Sequence, residues 1–246
     1  MYIDNCKSYQ KQIIDRFSPA KALKSFFTAR ELEQLTLLQF QLAERVKWTS
    51  TSNNIQPVCD IGKVMDAVPW LGERIKEQIG EFYSCHSGNF FITTQLHDAH
   101  VDLLTATECY TYSWSNNVVP YKSVVIPLLI TEDAKAHTAF FNQRHIGYSV
   151  TLDRVGVSEQ ENSDYSISRE YPEFTEYGNK IDADIIFPHI PEGNMQGLSV
   201  ETVLDYVPGD IMIFDACQIH ASCVKPTRPN YRWLKSGINI QFYKEV

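Results

Sequence analysis

The pattern of apolar and polar positions predicts a helical first third of the chain. Apolar residues between 26 and 42 recur with gaps that fit one broad face of a 3.6-residue period. Thr28 and Glu31 have the spacing of a capping box, which would start this helix. Pro69 opens a second helical segment at about 68–83. Both helices are expected to buttress a sheet.

From Gly88 onward the pattern changes to short segments that are rich in β-branched and aromatic residues, which favour strands. Strands are predicted at 89–95, 108–114, 122–131, 139–143, 211–214 and 234–243. Many short strands are typical of a sandwich or barrel. The expected fold is therefore mainly β with flanking helices.

The length of the chain favours one domain. Its 246 residues are 43% hydrophobic, which is enough for one sizeable core, and all-β barrels of this size are commonly single domains. Residues 1–87 would form a mostly helical buttress and 88–246 the β core. The polar, acidic stretch at 158–194 is predicted to be an insertion or lid, and surface decoration is the alternative.

The charge, the first residues and the cysteines of the chain disfavour several classes of protein. With 22 Lys and Arg against 30 Asp and Glu, the net charge of -8 disfavours a nucleic acid or an anionic membrane as partner. A small-molecule or peptide substrate fits better, and the oligomeric state is left open. The first residues lack the pattern of a signal peptide, so we expect a cytoplasmic protein. The six cysteines form no CxxC pair, so free thiols are expected.

The first candidate for chemistry is a His-x-Asp motif. His100 and Asp102 are two residues apart, so in extended backbone both side chains project from one face and can bind one metal ion. About one such motif is expected by chance in a chain of this composition, and a solvated strand-end pair is the alternative. His97 would replace His100 only if the strand ended early and turned helical.

The second candidate lies more than a hundred residues further on. A Pro208-Gly209-Asp210 turn starts an apolar strand, and the chain then reaches His220. This histidine can complete a facial triad of two histidines and one carboxylate, which leaves part of the metal open to other ligands. Cys217 and Cys223 flank it, but without a further ligand cluster buried thiols are favoured over a zinc site.

With these motifs, and with a helical start at residues 26–32, the chain resembles the iron(II)/2-oxoglutarate-dependent dioxygenase superfamily. It is most similar to the phytanoyl-CoA hydroxylase-like branch, over roughly residues 28–242. The resemblance implies a double-stranded β-helix of the jelly-roll or cupin type, with His100, Asp102 and His220 as iron ligands. It also implies Fe(II), 2-oxoglutarate and O2 as cofactor and cosubstrates, and an oxidoreductase that hydroxylates a small molecule with release of succinate and CO2.

The resemblance further implies a basic residue on the last strand that pairs with the far carboxylate of 2-oxoglutarate. Arg232 has the usual chemistry and spacing, because its planar fork matches a carboxylate. Lys235 is slightly favoured, because it shares its strand face with the small or polar residues Gly237 and Asn239. Lys122, on an earlier strand, is the third candidate.

Two other functions fit the same motifs. An iron-binding cupin-type enzyme that does not use 2-oxoglutarate would keep the triad but lack a working basic residue on the last strand. A binding module with a degenerate metal site would have no activity. Within the first reading, Asp102 favours hydroxylation over halogenation, because its carboxylate would fill the metal position that a halide needs.

Overall fold

The structure is a computed structural model, and it describes eleven stretches of the chain. These stretches are residues 17–43, 50–51, 54–55, 64–65, 67–80, 84–93, 97–100, 118–132, 134–144, 198–226 and 234–245. The predicted strand at 108–114 and the predicted lid at 158–194 lie outside the described residues.

The described stretches contain two helices and eleven strands. The helices are α1 (Ala29–Ala43) and α2 (Pro69–Ile79), as predicted from the apolar pattern. The strands are β1 (Lys21–Leu23), β2 (Ser50–Thr51), β3 (Asn54–Ile55), β4 (Ser84–Thr93), β5 (His97–His100), β6 (Val118–Ile130), β7 (Ala134–Arg144), β8 (Val200–Asp205), β9 (Ile211–Asp215), β10 (Gln218–Pro226) and β11 (Lys235–Glu245).

The strands form two antiparallel sheets. The larger has the order β1-β9-β6-β11-β4-β3-β2, and the smaller has the order β5-β10-β7-β8. Strands β4 to β11 pair in a nested way: β4 with β11, β5 with β10, β6 with β9, and β7 with β8. This nested pairing across two sheets is the connectivity of a jelly roll, or double-stranded β-helix. The predicted fold class is confirmed.

The two helices cover one face of the seven-stranded sheet. α1 begins at the predicted capping box, where the Thr28 amide donates to the Glu31 carboxylate at 2.8 Å and the Glu31 amide donates to Thr28 Oγ1 at 3.3 Å. Apolar residues of both helices join those of the sheet in one buried cluster. That cluster includes Leu35, Leu71, Ile75, Ile79, Phe90, Val124, Ile126, Ile211, Ile213, Ile238, Ile240 and Phe242. We call this face of the sheet the helix side.

The opposite face of the same sheet looks toward the four-stranded sheet. On β9, Ile211 and Ile213 belong to the helix-side cluster, whereas Met212 and Phe214 belong to a second cluster with Phe140 of the smaller sheet. Alternation along a strand puts these two sets on opposite faces. We call the space between the two sheets the interior side. No helix in the described part of the chain is long and apolar enough to cross a bilayer.

The strands differ from the sequence expectation in two main respects. The His-x-Asp motif was expected at the end of the strand that begins near Asn89, but β4 ends at Thr93 and His100 lies on a separate strand, β5, in the other sheet. The short strands β1, β2 and β3 were not predicted, and neither were β8 and β10. The alternation of β8 and β10 is weak because β8 is half exposed and polar residues occupy buried positions of β10.

Candidate metal centre

A tight turn sets the course of the chain toward the candidate site. The Asp210 amide donates to the Val207 carbonyl at 3.1 Å, and Gly209 has a φ of 92°. Proline before a glycine with positive φ is the arrangement of a type II turn. β9 then runs in the seven-stranded sheet, the chain turns, and β10 carries His220 into the four-stranded sheet.

The structure brings two of the three predicted ligands together. His100 of β5 and His220 of β10 are direct partners across paired strands. Their ring centroids are 4.4 Å apart and their planes differ by 52°. Asp102, the third predicted ligand, lies outside the described residues. Among the described residues alone, no group of three or more His, Cys, Asp or Glu side chains could hold a metal ion.

His97, the alternative to His100, required the strand to turn helical early. The chain instead remains a β-strand from His97 to His100. The backbone of His97 is opposite Ser222, two positions further along β10 than His220. The extended backbone therefore favours His100 as the partner of His220.

The surroundings of His220 fix the state of its ring. The ring is buried, with a relative exposure of 6%, and its centroid lies 4.9 Å from that of Phe214 and 5.8 Å from that of Phe140. Its Nδ1 lies 3.0 Å from the carbonyl oxygen of Gln218. A carbonyl can only accept, so Nδ1 carries the proton, and in the neutral ring Nε2 keeps its lone pair.

The histidine pair fits a shared metal ion. Two imidazoles that bind one metal at about 2.1 Å and at about a right angle have ring centroids about 4.5 Å apart. The observed separation of 4.4 Å agrees with this value. A hydrogen bond from the second ring nitrogen to a backbone carbonyl, as His220 makes, is usual for metal-binding histidines.

Cys217 belongs to no group of three or more His, Cys, Asp or Glu side chains that could hold a metal ion among the described residues. It is buried, and burial together with the nearby Asp215 carboxylate raises the pKa of the thiol far above its ordinary value. The side chain of Cys223 is not among those described.

Lys235 lies on the interior side of β11, as its register predicted. Its side chain is buried, with a relative exposure of 4%, and its ammonium is 5.1 Å from the ring centroid of Tyr206. Burial raises the pKa of the Tyr206 phenol well above its ordinary value. The phenol therefore stays protonated, and it donates to the Ser236 carbonyl at 2.6 Å.

Gly237 leaves the space that this arrangement needs. A Cβ on Gly237 would lie 2.7 Å from the Ile126 carbonyl oxygen and 2.8 Å from Cζ of Phe91, and it would also meet the Tyr206 hydroxyl. These separations are too short for a side chain. Glycine is required here because a ring from β4 and a phenol from the end of β8 both approach the backbone of β11.

The other two basic candidates lie elsewhere. Arg232 is outside the described residues. The Lys122 ammonium pairs with the Asp215 carboxylate and donates to Ser18 Oγ at 2.6 Å. Lys122 also shares its face of β6 with Val124, which belongs to the helix-side cluster. Of the three, Lys235 is the one that the described residues place on the interior side.

Two buried hydroxyl groups are further polar groups on the interior side. Ser222 follows His220 by two residues on β10, and Ser123 of β6 is the direct partner of Phe214. Within the described part of the chain, neither hydroxyl oxygen has a hydrogen-bond partner. Buried polar atoms normally have partners, so these hydroxyls are suited to a polar occupant or to bound water.

Sequence reasoning missed Tyr206, Ser222 and Gln218. Tyr206 precedes Pro208 of the Pro-Gly-Asp turn by two residues, and Gln218 precedes His220 by two. Nearness to the motifs was the only available signal, because the burial of a polar residue on an irregular strand depends on what the opposite sheet places against it.

Comparisons with known proteins give similarity to solved structures only. No family model matches the chain, and no curated protein matches its sequence. A Pseudomonas putida prolyl-4-hydroxylase is 10% identical, with 93% of this chain and 94% of that chain covered and a TM-score of 0.46. HygX from Streptomyces hygroscopicus, solved with nickel and 2-oxoglutarate bound, is 12% identical, with 96% and 86% covered and a TM-score of 0.47.

The non-haem alpha-ketoglutarate-dependent epimerase SnoN from nogalamycin biosynthesis is 9% identical, with 97% of this chain and 84% of that chain covered and a TM-score of 0.48. Similarity at this level leaves the family of the chain unassigned. The phytanoyl-CoA hydroxylase-like branch stays a prediction.

Proposed function

We propose that this protein is a non-haem iron(II) dioxygenase that uses 2-oxoglutarate to hydroxylate a small molecule, with release of succinate and CO2. The observation that carries the proposal is the pairing of His100 with His220 across two strands of a jelly roll, with ring centroids 4.4 Å apart. A proton on Nδ1 of His220 leaves Nε2 as the ligand atom.

In this proposal His100, Asp102 and His220 hold the metal. When bound, iron(II) would supply the site at which the oxoacid and dioxygen meet and at which a C–H bond can be oxidised. The role of the protein is to hold the two imidazoles side by side. Phe140 and Phe214 flank His220, so they exclude water from its ring.

Lys235 is the proposed partner of the far carboxylate of the oxoacid. Its ammonium is buried on the interior side, and a charge-assisted hydrogen bond in such a place is stronger than one between neutral groups. The ring of Tyr206 lies against this ammonium and limits its movement. Arg232 and Lys122 stay as alternatives for the same role.

The test is turnover and metal binding measured together. Purified protein is supplied with iron(II), ascorbate and 2-oxoglutarate, succinate is measured, and candidate small molecules are screened for faster release. Succinate that depends on iron, and that is lost in His220→Ala, supports the proposal. Iron binding without any succinate, across the whole screen, would favour the enzyme that does not use 2-oxoglutarate. Absence of iron binding would favour the non-catalytic module.

A further inference from the structure

The carbonyl that accepts the Nδ1 proton of His220 belongs to a residue whose own side chain is held in place. Gln218 is completely buried. Its Nε2 donates to the Phe141 carbonyl at 2.9 Å and to the Glu201 carboxylate at 2.7 Å. Both partners can only accept, so the orientation of the amide is determined. One residue thus links His220 to β7 and to β8.

Glu201 is fixed in turn by charge and by backbone. Its Oε1 lies 3.1 Å from the guanidinium of Arg144, and its Oε2 accepts from the Ala20 amide at 3.0 Å. Arg144 also pairs with Asp215 at 3.1 Å, and both of these side chains are almost fully buried. Buried pairs with several hydrogen bonds hold their geometry, because breaking one leaves an uncompensated charge. The acceptor for Gln218 therefore has a defined position.

The regular pairing of β10 with β7 is interrupted at this part of β10. Gln218 is opposite Arg144 of β7 and His220 is opposite Phe140, so two steps on β10 correspond to four on β7. An irregularity of this kind interrupts the backbone hydrogen bonds of the ladder. The side chain of Gln218 bonds to Phe141, inside the irregular stretch. Side-chain bonds here replace the ladder in locating the Gln218 carbonyl.

We infer that Gln218, held by Glu201, is a positioning residue that fixes the ring orientation and the tautomer of His220, an inference that rests on the proposed function of His220 as a metal ligand. A fixed carbonyl keeps the proton on Nδ1 and leaves Nε2 available to a metal. A displaced carbonyl allows the ring to turn or to change tautomer, which weakens its binding of the metal.

A second buried glutamine provides a matched control. Gln39 of α1 is also completely buried, and its Nε2 donates to a backbone carbonyl, that of Phe91, at 3.1 Å. The change of glutamine to methionine keeps the length of the side chain and removes the donor in both places. Gln218→Met and Gln39→Met should each lower the melting temperature by about 2–6 °C, the range for one or two lost hydrogen bonds in a chain of this size.

The first measurement is the affinity of the full chain for Co(II), used as a spectroscopic probe of the iron site. Gln218→Met should weaken Co(II) binding by about tenfold to a hundredfold, which is typical for loss of a group that orients a ligand. Gln39→Met should bind Co(II) as the parent does. Equal affinities of the two variants would overturn the positioning role.

The second measurement needs no metal. The ring nitrogens of His220 are observed by NMR in protein labelled with ¹⁵N-histidine, and His220→Asn identifies the signals. The parent and Gln39→Met should show the Nδ1–H tautomer, and Gln218→Met a mixture. A pure Nδ1–H tautomer in Gln218→Met would overturn the inference. If Gln218→Met fails to fold, Glu201→Gln replaces it in both measurements, with a loss of Co(II) affinity of about threefold to tenfold expected.

These outcomes separate the inference from the proposed function. A parent protein that does not bind Co(II) or iron(II) overturns the proposed function, and the tautomer comparison still decides whether Gln218 positions the ring. A parent that binds metal, with variants that do not differ, overturns the inference alone.

Discussion

The two faces of β11 show how one strand can serve stability on one side and binding on the other. On the helix side, Ile238, Ile240 and Phe242 are completely buried in an apolar cluster with the helices. On the interior side, Lys235 and Gly237 contact Tyr206 instead. Both faces are buried, so burial alone does not distinguish them.

The difference lies in what each face leaves for another molecule. The apolar side chains of the helix side are satisfied by contact with each other, and burying them stabilises the fold. The interior side carries the buried ammonium of Lys235 on β11. It also carries the buried hydroxyls of Ser123 and Ser222, and for these two hydroxyls the described residues supply no hydrogen-bond partner. A protein retains such groups in its interior at a cost in stability, which makes them candidates for binding.

Replacement of the central interior histidine should have the largest effect. His220→Ala is expected to abolish iron(II) binding and succinate formation, because it removes one of only three proposed ligands. His137→Ala is the matched control, because His137 lies in the same sheet, on β7. Its side chain projects from the opposite face of that strand to the side chains of its neighbours Ala136 and Thr138. Metal content and turnover should be measured for both. Full metal content in His220→Ala would show that the metal centre does not lie on the interior side.

On the helix side we expect a large loss of stability without a change in binding. Ile240→Ala should lower the free energy of unfolding by about 2–5 kcal/mol, because it leaves a cavity in a cluster where Ile240 is completely buried. The KM for 2-oxoglutarate should stay at the parental value. Denaturant unfolding and steady-state kinetics check the two expectations. A raised KM with unchanged stability would show that the two faces are not separate in function.

The basic candidates sharpen the comparison within the interior side. Lys235→Ala should raise the KM for 2-oxoglutarate by roughly tenfold or more, because a buried carboxylate would lose its charged partner. Arg232→Ala should leave this KM unchanged. Lys122→Ala should also leave it unchanged, but it should lower stability because Lys122 pairs with the buried Asp215. An effect on KM in Arg232→Ala alone would reverse the assignment.

The smallest expected effect concerns the start of α1, which covers the helix side of the larger sheet. Thr28→Ala should lower the free energy of unfolding by about 1 kcal/mol, because it removes one half of the capping box at the start of α1. Thermal unfolding followed by circular dichroism checks this value. A loss above that of Ile240→Ala would mean that the cap, and not the apolar cluster, dominates the helix side.

Much of the fold could be predicted from the sequence, because local rules govern it. The capping box, the 3.6-residue apolar period and the proline at the start of α2 each act within a few residues, so they located both helices. The alternation along the last strand likewise assigned Lys235 and Ile240 to opposite faces. The Pro208-Gly209 turn was visible for the same reason.

The sequence by itself determined which residues are able to do chemistry: the His-x-Asp motif, His220 after the turn, and the basic residues near the last strand. Only the tertiary structure decided which of them meet. The pairing of β5 with β10 makes His100 and His220 neighbours across 120 residues of chain. The buried network of Glu201 and Arg144 that locates Gln218 joins four separate strands. Such contacts depend on sheet register and on the packing of distant strands, which no local pattern specifies.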